Sequence, residues 1–364
     1  MNRRIYYIDN LRWMTVSLLI LFHAAIAYNT WGEANDIFFE PVRPIAFVVT
    51  LIDPWFMPMM FLLTGISSRF SLQKRGIKTF IKERLIRLGI PLVFGLLVLN
   101  PVLSFIADVT HNCYTGGYFE HYGIYFSRFT DLTGYDGGFT LGHLWFILVL
   151  LVISLLSCPI IKLIPKSRKA TIITGIALSV LSAALFDVKF FGKPLLTFFC
   201  VYLLGYYVFS DQKFVKQLTR FKWPLTAVFL IVSIGNALIY NYTDGLEALN
   251  TVCYYSSFVT GVPALIALGH DHLDFSNRLS SFNANISYVF YIIHFPIVIG
   301  CQYLLLLTGM DHLANFFVTL VITYPLTWCL CLLIEKSKYI RVLFGMKKNL
   351  QNTRETQKNE RKSQ

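Results

Sequence analysis

Ten mostly apolar stretches follow one another along this chain of 364 residues. Eight of them are 17 to 24 residues long and the fifth and sixth are shorter, at 16 and 15 residues, and about 20 residues of helix cross the ~30 Å hydrocarbon layer of a bilayer. They run over Leu11–Tyr28, Ile45–Ile66, Leu88–Asp108, Leu141–Ile164, Thr171–Phe186, Leu195–Phe209, Pro224–Tyr240, Ala248–Gly269, Ile286–Leu307 and Leu313–Ile334. Charged residues make up only 14% of the chain, against about 25% in a soluble domain. The sequence therefore predicts an all-α, polytopic membrane protein with about ten transmembrane helices.

Positive charge is distributed asymmetrically between the predicted loops. If the N-terminus is cytoplasmic, all 32 lysines and arginines lie inside except Arg43, Arg128, Lys189 and Lys193. This bias predicts that both termini are cytoplasmic, and we expect the cell inner (cytoplasmic) membrane. Topology and anionic membrane lipids account for the net charge of +12 without a nucleic-acid partner. Residues 1–340 are predicted to form the membrane domain, and 341–364 a basic, disordered cytoplasmic tail.

Arg12 and His23 lie eleven positions apart in the first predicted span. At about 100° per residue this separation is about 20° from three full turns, so both side chains share one helix face, roughly 16 Å apart. The arginine is then at the membrane surface and the histidine near mid-bilayer. Ionisable groups inside a membrane are expensive and commonly functional, so His23 is a candidate site residue. The alternative is a structural histidine that hydrogen-bonds to a neighbouring helix.

The loop after the second span is the most basic part of the chain. From Arg69 to Arg87, seven basic residues accompany a single acid, Glu83. Topology and lipid attraction can explain this composition. Alternatively, Arg84 and Arg87 form a cytoplasmic anion site with Arg12, because guanidinium groups bind phosphates through charge-assisted hydrogen bonds.

The ninth span contains a second polar cluster. Tyr288, Tyr291 and His294 step by three and line one side of the helix, with His294 about as deep as His23. Pro296 leaves a backbone carbonyl free one turn earlier, near Ile292, as is typical beside a polar cavity. We expect the two histidines to share such a cavity, with a structural role for His294 as the alternative.

Three residues nearer the outer surface are candidates for binding a substrate. His143 and Trp145 open the fourth span, where they belong either to the interfacial belt or to the lip of an outward-facing site. Asp53 precedes Pro54 in the second span, where the proline is expected to kink the helix. Asp53 is either a counter-ion or a stabiliser of that kink. The external segment 109–140 is rich in glycine and tyrosine, a composition that suits carbohydrate stacking.

The sequence indicates no metal site and no permanently bound cofactor. Its seven cysteines have no metal-ligand spacing, and most lie in or at the ends of spans as small apolar residues. Cys113 in the large external loop has no obvious partner, so no disulfide framework is predicted.

These motifs together resemble the acyltransferase-3 family of integral membrane acyltransferases. The matching pieces are Asp9-Asn10-Leu11-Arg12 with His23, Phe61 to Gly65, Lys82 to Pro91, Gly142 to Ile147, and Tyr288 to Pro296. They occur in the family's order over nearly the whole chain, and the arginine–histidine spacing is the specific element. The His-Leu-Trp-Phe form, without an extra domain, resembles most the glucan biosynthesis protein C branch, which succinylates periplasmic glucans.

The resemblance implies transfer of an acyl group from cytoplasmic acyl-CoA, either acetyl-CoA or succinyl-CoA, to a hydroxyl of an extracytoplasmic glycan. Arg12, Arg84 and Arg87 would hold the polyanionic end of CoA. His23 would act as general base or carry the acyl group covalently. His294 and Tyr291 would orient that base or stabilise the oxyanion. Any second catalytic protein would be a separate extracytoplasmic partner enzyme.

A transporter of a small polar or acylated substrate is the alternative function. Proline-broken helices and ionisable groups within the membrane also suit substrate or proton translocation. Two observations disfavour a transporter: the two halves of the chain show no convincing similarity, and positive charge is concentrated at the predicted cytoplasmic side. A non-catalytic membrane sensor, in which His23 is replaceable, is a third possibility.

Overall fold

The computed structural model of the protein describes residues 4–33, 35–129, 134–163, 168–185, 188–190 and 192–346. Within these ranges the chain is helical and contains no β-strand, which confirms the predicted all-α fold. The helices are α1 (Tyr6–Ile26), α2 (Arg43–Arg75), α3 (Ile77–Asn112), α4 (Tyr118–Tyr125), α5 (Trp145–Leu163), α6 (Arg168–Ala184), α7 (Leu195–Phe209), α8 (Gln212–Leu218), α9 (Lys222–Tyr242), α10 (Glu247–His272), α11 (Arg278–Leu307), α12 (His312–Lys336) and α13 (Ile340–Leu343).

In the described part of the chain, seven helical stretches are long and apolar enough to cross a membrane. They are α2, α3, α5 with the preceding turn, α8 continued by α9, α10, α11 and α12. Helices α6 and α7 are apolar but shorter, and α1 carries the polar residues Asp9, Arg12 and His23 within its 21 residues. Each of the ten predicted stretches falls mainly on one of these helices. A multi-pass membrane protein is thus confirmed, whereas ten spans and the orientation of the termini stay predictions.

Helix α1 is fixed among its neighbours by hydrogen bonds from polar side chains to backbone carbonyls. Near its start, Asn10 donates to the carbonyl oxygens of Leu273 at 2.7 Å and Phe275 at 2.9 Å. Near its end, the carbonyl of Ala24 accepts from Gln302 of α11 at 3.0 Å. Such bonds are made where apolar packing alone gives little preference for one helix rotation over another. They fix the direction in which the polar face of α1 points.

Helices α2 and α7 cross at two glycines. A β-carbon at Gly65 would stand 2.0 Å from the carbonyl oxygen of Tyr202, and one at Gly205 would stand 2.2 Å from that of Leu62. Small residues allow membrane helices to approach this closely. The crossing brings the second half of α2 into the centre of the bundle.

Helix α3 contains two π-helical turns, Leu85–Gly89 and Gly95–Leu99. Each lies beside a proline, Pro91 or Pro101, which has no N–H for the usual bond to the carbonyl four residues earlier. The carbonyl of Leu97, four residues before Pro101, accepts from the hydroxyl of Tyr122 of α4 at 3.4 Å, and the neighbouring carbonyl of Leu96 accepts from Tyr125 at 3.0 Å.

The chain returns to the bundle after α12. Helix α13 and the following turn reach Met346, so the first residues of the segment predicted as a tail have a defined place. Residues 347–364 of that predicted tail lie outside the described ranges.

Candidate active site

A cavity of about 1600 Å³ opens at the end of the bundle where α1 begins. Arg12, Arg84 and Arg87 all line it, so the three arginines that the sequence placed together do share one site. We call it the arginine cavity. It is larger than the usual range of about 300–1,000 Å³ for small-molecule pockets, which suits a long ligand.

Two serines at the end of α2 hold two of these arginines. Arg12 donates to the hydroxyl of Ser67 at 2.6 Å and to Asp9 at 3.2 Å. Arg84 donates to the hydroxyl of Ser68 at 2.8 Å. Neither Arg84 nor Arg87 has a carboxylate partner among the described residues. The cavity therefore carries guanidinium charge that the described residues leave uncompensated.

A second cavity, of about 630 Å³, opens toward the other end of the bundle. We call it the histidine cavity. It is lined by five of the residues proposed from the sequence, His23, Asp53, His143, Trp145 and Tyr291. Helix α1 contributes its first half to the arginine cavity and its second half to the histidine cavity, so the two cavities open toward opposite ends of the bundle. Phe146 of α5 borders both cavities and forms part of the wall between them.

Three imidazoles meet at the inner wall of the histidine cavity. The ring of His294 is centred 5.2 Å from that of His23 and 5.3 Å from that of His143. Phe295 packs beside them, 4.3 Å from His23 and 5.2 Å from His143 between ring centres. His23 and His294 thus lie together as expected, but only His23 lines the cavity, because His294 is fully buried behind it.

Pro296 organises this cluster through the carbonyl that it leaves unpaired. His143 bonds through Nε2 to the carbonyl of Ile292 at 2.8 Å, which is the carbonyl that the sequence marked as free. Because a carbonyl only accepts, Nε2 of His143 carries the proton. His294 likewise donates from Nδ1 to the carbonyl of Tyr291 at 2.6 Å. The remaining ring nitrogens, Nδ1 of His143 and Nε2 of His294, are buried and unpaired.

His23 differs from the other two imidazoles. It is partly exposed to the cavity and has no hydrogen-bond partner among the described residues. Both of its ring nitrogens are therefore available to a ligand. An imidazole in this state can take a proton from a hydroxyl group that enters the cavity.

Of the two readings of His143, the interfacial belt fits the structure less well than the lining of a site. Only 5% of His143 is exposed, it lies against His294, and it lines the histidine cavity. Gly142 makes this possible with a φ of +46°, and a β-carbon there would stand 3.3 Å from Leu103. The short 3-10 turn Gly142–Leu144 thus directs the imidazole inward instead of along the headgroup layer.

Two residues missed by the sequence analysis complete the outer part of the histidine cavity. Tyr254 donates its hydroxyl to the carboxylate of Asp53 at 2.8 Å. The ammonium of Lys193 lies 5.5 Å from the centre of the Trp145 ring, a cation–π arrangement. Both belong to segments that the sequence gave no reason to bring near α2, so no local signal could have identified them.

The tyrosine-rich segment 109–140 is attached to α3 by buried polar contacts. Buried Asp108 bonds to His121 at 3.1 Å and to Arg128 at 3.0 Å. Burial lowers the pKa of His121. Of the tyrosines proposed for carbohydrate stacking (Tyr114, Tyr118, Tyr122, Tyr125 and Tyr135), only Tyr135 lines the histidine cavity.

Comparison with known proteins identifies the class. Residues 5–336 match the family model described as "Acyltransferase domain", and the chain belongs to this acyltransferase-3 family of membrane acyltransferases. It is similar to "Glucans biosynthesis protein C" of Salmonella gallinarum and of Salmonella schwarzengrund, 22% identical over 330 residues that cover 81% of this chain and 83% of each relative. The protein of the same name from Salmonella typhimurium is 21% identical over the same shares. No solved structure matches the chain.

Proposed function

We propose that this acyltransferase moves an acyl group from cytoplasmic acyl-CoA to a hydroxyl of an extracytoplasmic carbohydrate, with His23 as general base. The observation that carries the proposal is the placement of Arg12 and His23 on one helix, each opening into a different cavity, with Phe146 bordering both. Donor and acceptor can then approach the same wall from opposite sides of the membrane. In this reading the arginine cavity faces the cytoplasm and the protein resides in the inner membrane.

The charge of the arginine cavity supports CoA as the donor. The nucleotide end of CoA carries several phosphate charges, which cannot enter hydrocarbon and bind well to guanidinium groups. Arg12, Arg84 and Arg87 would hold that end. The thin pantetheine arm is nearly neutral and would carry the thioester along α1 toward Phe146, with acetyl-CoA or succinyl-CoA as donor.

The proposed reaction needs one proton acceptor near the meeting point. His23 takes the proton of the acceptor hydroxyl while the hydroxyl oxygen attacks the thioester carbonyl carbon. The tetrahedral intermediate collapses, the carbon–sulfur bond breaks, and the imidazolium returns the proton to the leaving sulfur. Each turnover forms one ester and releases one free thiol.

His294 and Tyr291 suit a positioning role better than an oxyanion role. His294 already donates from Nδ1 to a backbone carbonyl, and its Nε2 can only accept in the neutral form. The hydroxyl of Tyr291 donates to the backbone carbonyl of His143. Neither group has a free proton to offer a developing oxyanion, whereas Nε2 of His294 is available to accept from His23 and orient it.

The lining of the histidine cavity supports a carbohydrate acceptor. Asp53 offers a carboxylate for sugar hydroxyls, and Trp145 and Trp31 offer aromatic faces. The names of the relatives point to glucans, and we take a glucan or similar polysaccharide as the acceptor class. A separate extracytoplasmic enzyme that elongates or presents this glycan fits the same scheme.

Thiol release by purified protein in detergent tests the proposal. Acetyl-CoA and succinyl-CoA are each supplied with and without a glucan acceptor, beside the variants His23→Gln and Arg12→Gln. We expect His23→Gln to lose turnover by about 10²–10⁴-fold, and Arg12→Gln to raise the KM for the donor. His272→Gln, at an exposed helix end and in the lining of neither cavity, is the matched control. Full activity in His23→Gln would exclude His23 as the base, and flux of an intact substrate without thiol release would favour the transporter.

A further inference from the structure

The last described residues of the chain form part of the arginine cavity. Residues 340–346, which we call the C-terminal segment, pack against the first half of α3. Phe344 is buried against Phe94, with 5.3 Å between ring centres. Gly345 has a φ of +69°, and a β-carbon there would stand 2.5 Å from the carbonyl oxygen of Arg87. This close approach, which requires glycine, fixes the segment beside one of the proposed donor-binding arginines.

Arg341 of this segment lines the same cavity as Arg12, Arg84 and Arg87. Its Nε is buried and has no hydrogen-bond partner. It forms no ion pair with any described carboxylate. A guanidinium that is partly removed from water without a partner is unfavourable unless an anion joins it.

The charges around the cavity show where that anion would sit. Seven arginine or lysine side chains and four acidic side chains line it. Asp9 is already paired with Arg4 and Arg12, and Glu83 with Arg75. Arg84, Arg87 and Arg341 keep no carboxylate partner within the described residues. These three guanidinium groups come from the first half of α3 and from the segment packed on it, whereas Lys74, which also lines the cavity without an ion pair among the described residues, comes from the end of α2.

We propose that Arg341 is a further donor-binding residue, which contacts a phosphate of the CoA nucleotide at the mouth of the arginine cavity. This inference rests on the proposed function and adds to it a binding contribution from the C-terminal segment. The proposal assigns Arg341 to affinity for the nucleotide end and not to the chemical step, because His23 lies in the other cavity.

Comparison of two donors tests the assignment. Acetyl-CoA carries the phosphates, whereas acetyl-pantetheine has the same thioester and arm without them. We expect Arg341→Gln to raise the KM for acetyl-CoA by about tenfold with kcat unchanged, the effect of one lost charge-assisted contact. Its kinetics with acetyl-pantetheine should match those of the wild type. Lys338→Gln, which removes a nearby exposed charge outside the cavity, should change neither donor.

Equal losses with both donors, or an unchanged KM for acetyl-CoA, would overturn the assignment. If Arg341→Gln does not fold, Arg341→Lys and calorimetry with CoA replace it. The expected result there is a smaller loss of CoA affinity, and full retention of affinity would refute the contact. A wild type that neither binds CoA nor releases thiol would reject the proposed function itself, whereas an active wild type with an unaffected Arg341→Gln variant would reject only this inference.

Discussion

The bond from His143 to the carbonyl of Ile292 allows a sharp test of how the site is built. Pro296 has no N–H, so the helix itself cannot pair this carbonyl, and His143 supplies the donor at 2.8 Å. We expect His143→Leu to destabilise the protein because it leaves the carbonyl buried and unpaired. Restoring a backbone donor with Pro296→Ala should relieve part of that loss.

The size of the effect follows from the setting of the bond. A buried polar group left unsatisfied costs about 1–3 kcal/mol in general. Side-chain hydrogen bonds inside membrane proteins contribute about 0.6 kcal/mol on average and at most about 1.7 kcal/mol. Because His143 is only 5% exposed, we expect a destabilisation of about 1 kcal/mol, where those two ranges overlap. The interaction energy between the two substitutions in the double variant should be favourable and of roughly the same size.

The assay is unfolding in mixed micelles, with the free energy measured for the wild type, His143→Leu, Pro296→Ala and the double variant. The interaction energy is the double-variant change minus the two single changes. Pro325→Ala, which alters a proline within α12, replaces Pro296→Ala in a control cycle that should show no coupling. Additive effects of His143→Leu and Pro296→Ala would refute the argument that His143 compensates for the proline.

Two further outcomes are expected. Asp53→Asn should raise the KM for the acceptor several-fold while the KM for the donor stays constant, because Asp53 lines only the histidine cavity. Initial rates at varied acceptor and donor concentrations test this prediction. A shift in the donor KM alone would contradict it. Burial raises the pKa of Asp36 to about 7, above the value in the unfolded chain. The folded state therefore binds this proton more tightly, and the stability that the protonated group contributes at low pH is lost as the pH rises from about 4 through 7. Asp36→Asn should therefore raise the unfolding temperature at pH 8 but not at pH 4, and thermal scans at both pH values decide.

The parts of the site that follow from one helix could be predicted from the sequence. Arg12 and His23 are related by helical period alone, so their alignment along α1 needed no neighbours. The carbonyl left free by Pro296 was likewise predictable, because a proline removes a donor at a fixed offset. Even the meeting of His23 and His294 followed from similar depths in the membrane.

Residues brought in by other elements could not be predicted in this way. From the sequence, His143 could belong either to the interfacial belt or to the lip of an outward-facing site, and only the structure shows that the left-handed Gly142 turns it inward. Arg341 was assigned to a tail because its surroundings are polar, and only the packing of Phe344 and Gly345 on α3 places it in the arginine cavity.

The sequence by itself determined that this is a helical, multi-pass membrane protein with an arginine and a histidine on one helix face. Hydropathy and helical period are local properties, so length and spacing sufficed. The tertiary structure decided which side chains join them. His143 reaches a carbonyl 149 positions away, and Tyr254 reaches Asp53 across 201 positions. Such contacts depend on which helices cross and how closely, here through Gly65 and Gly205, because lipid offers apolar helices no preferred partner.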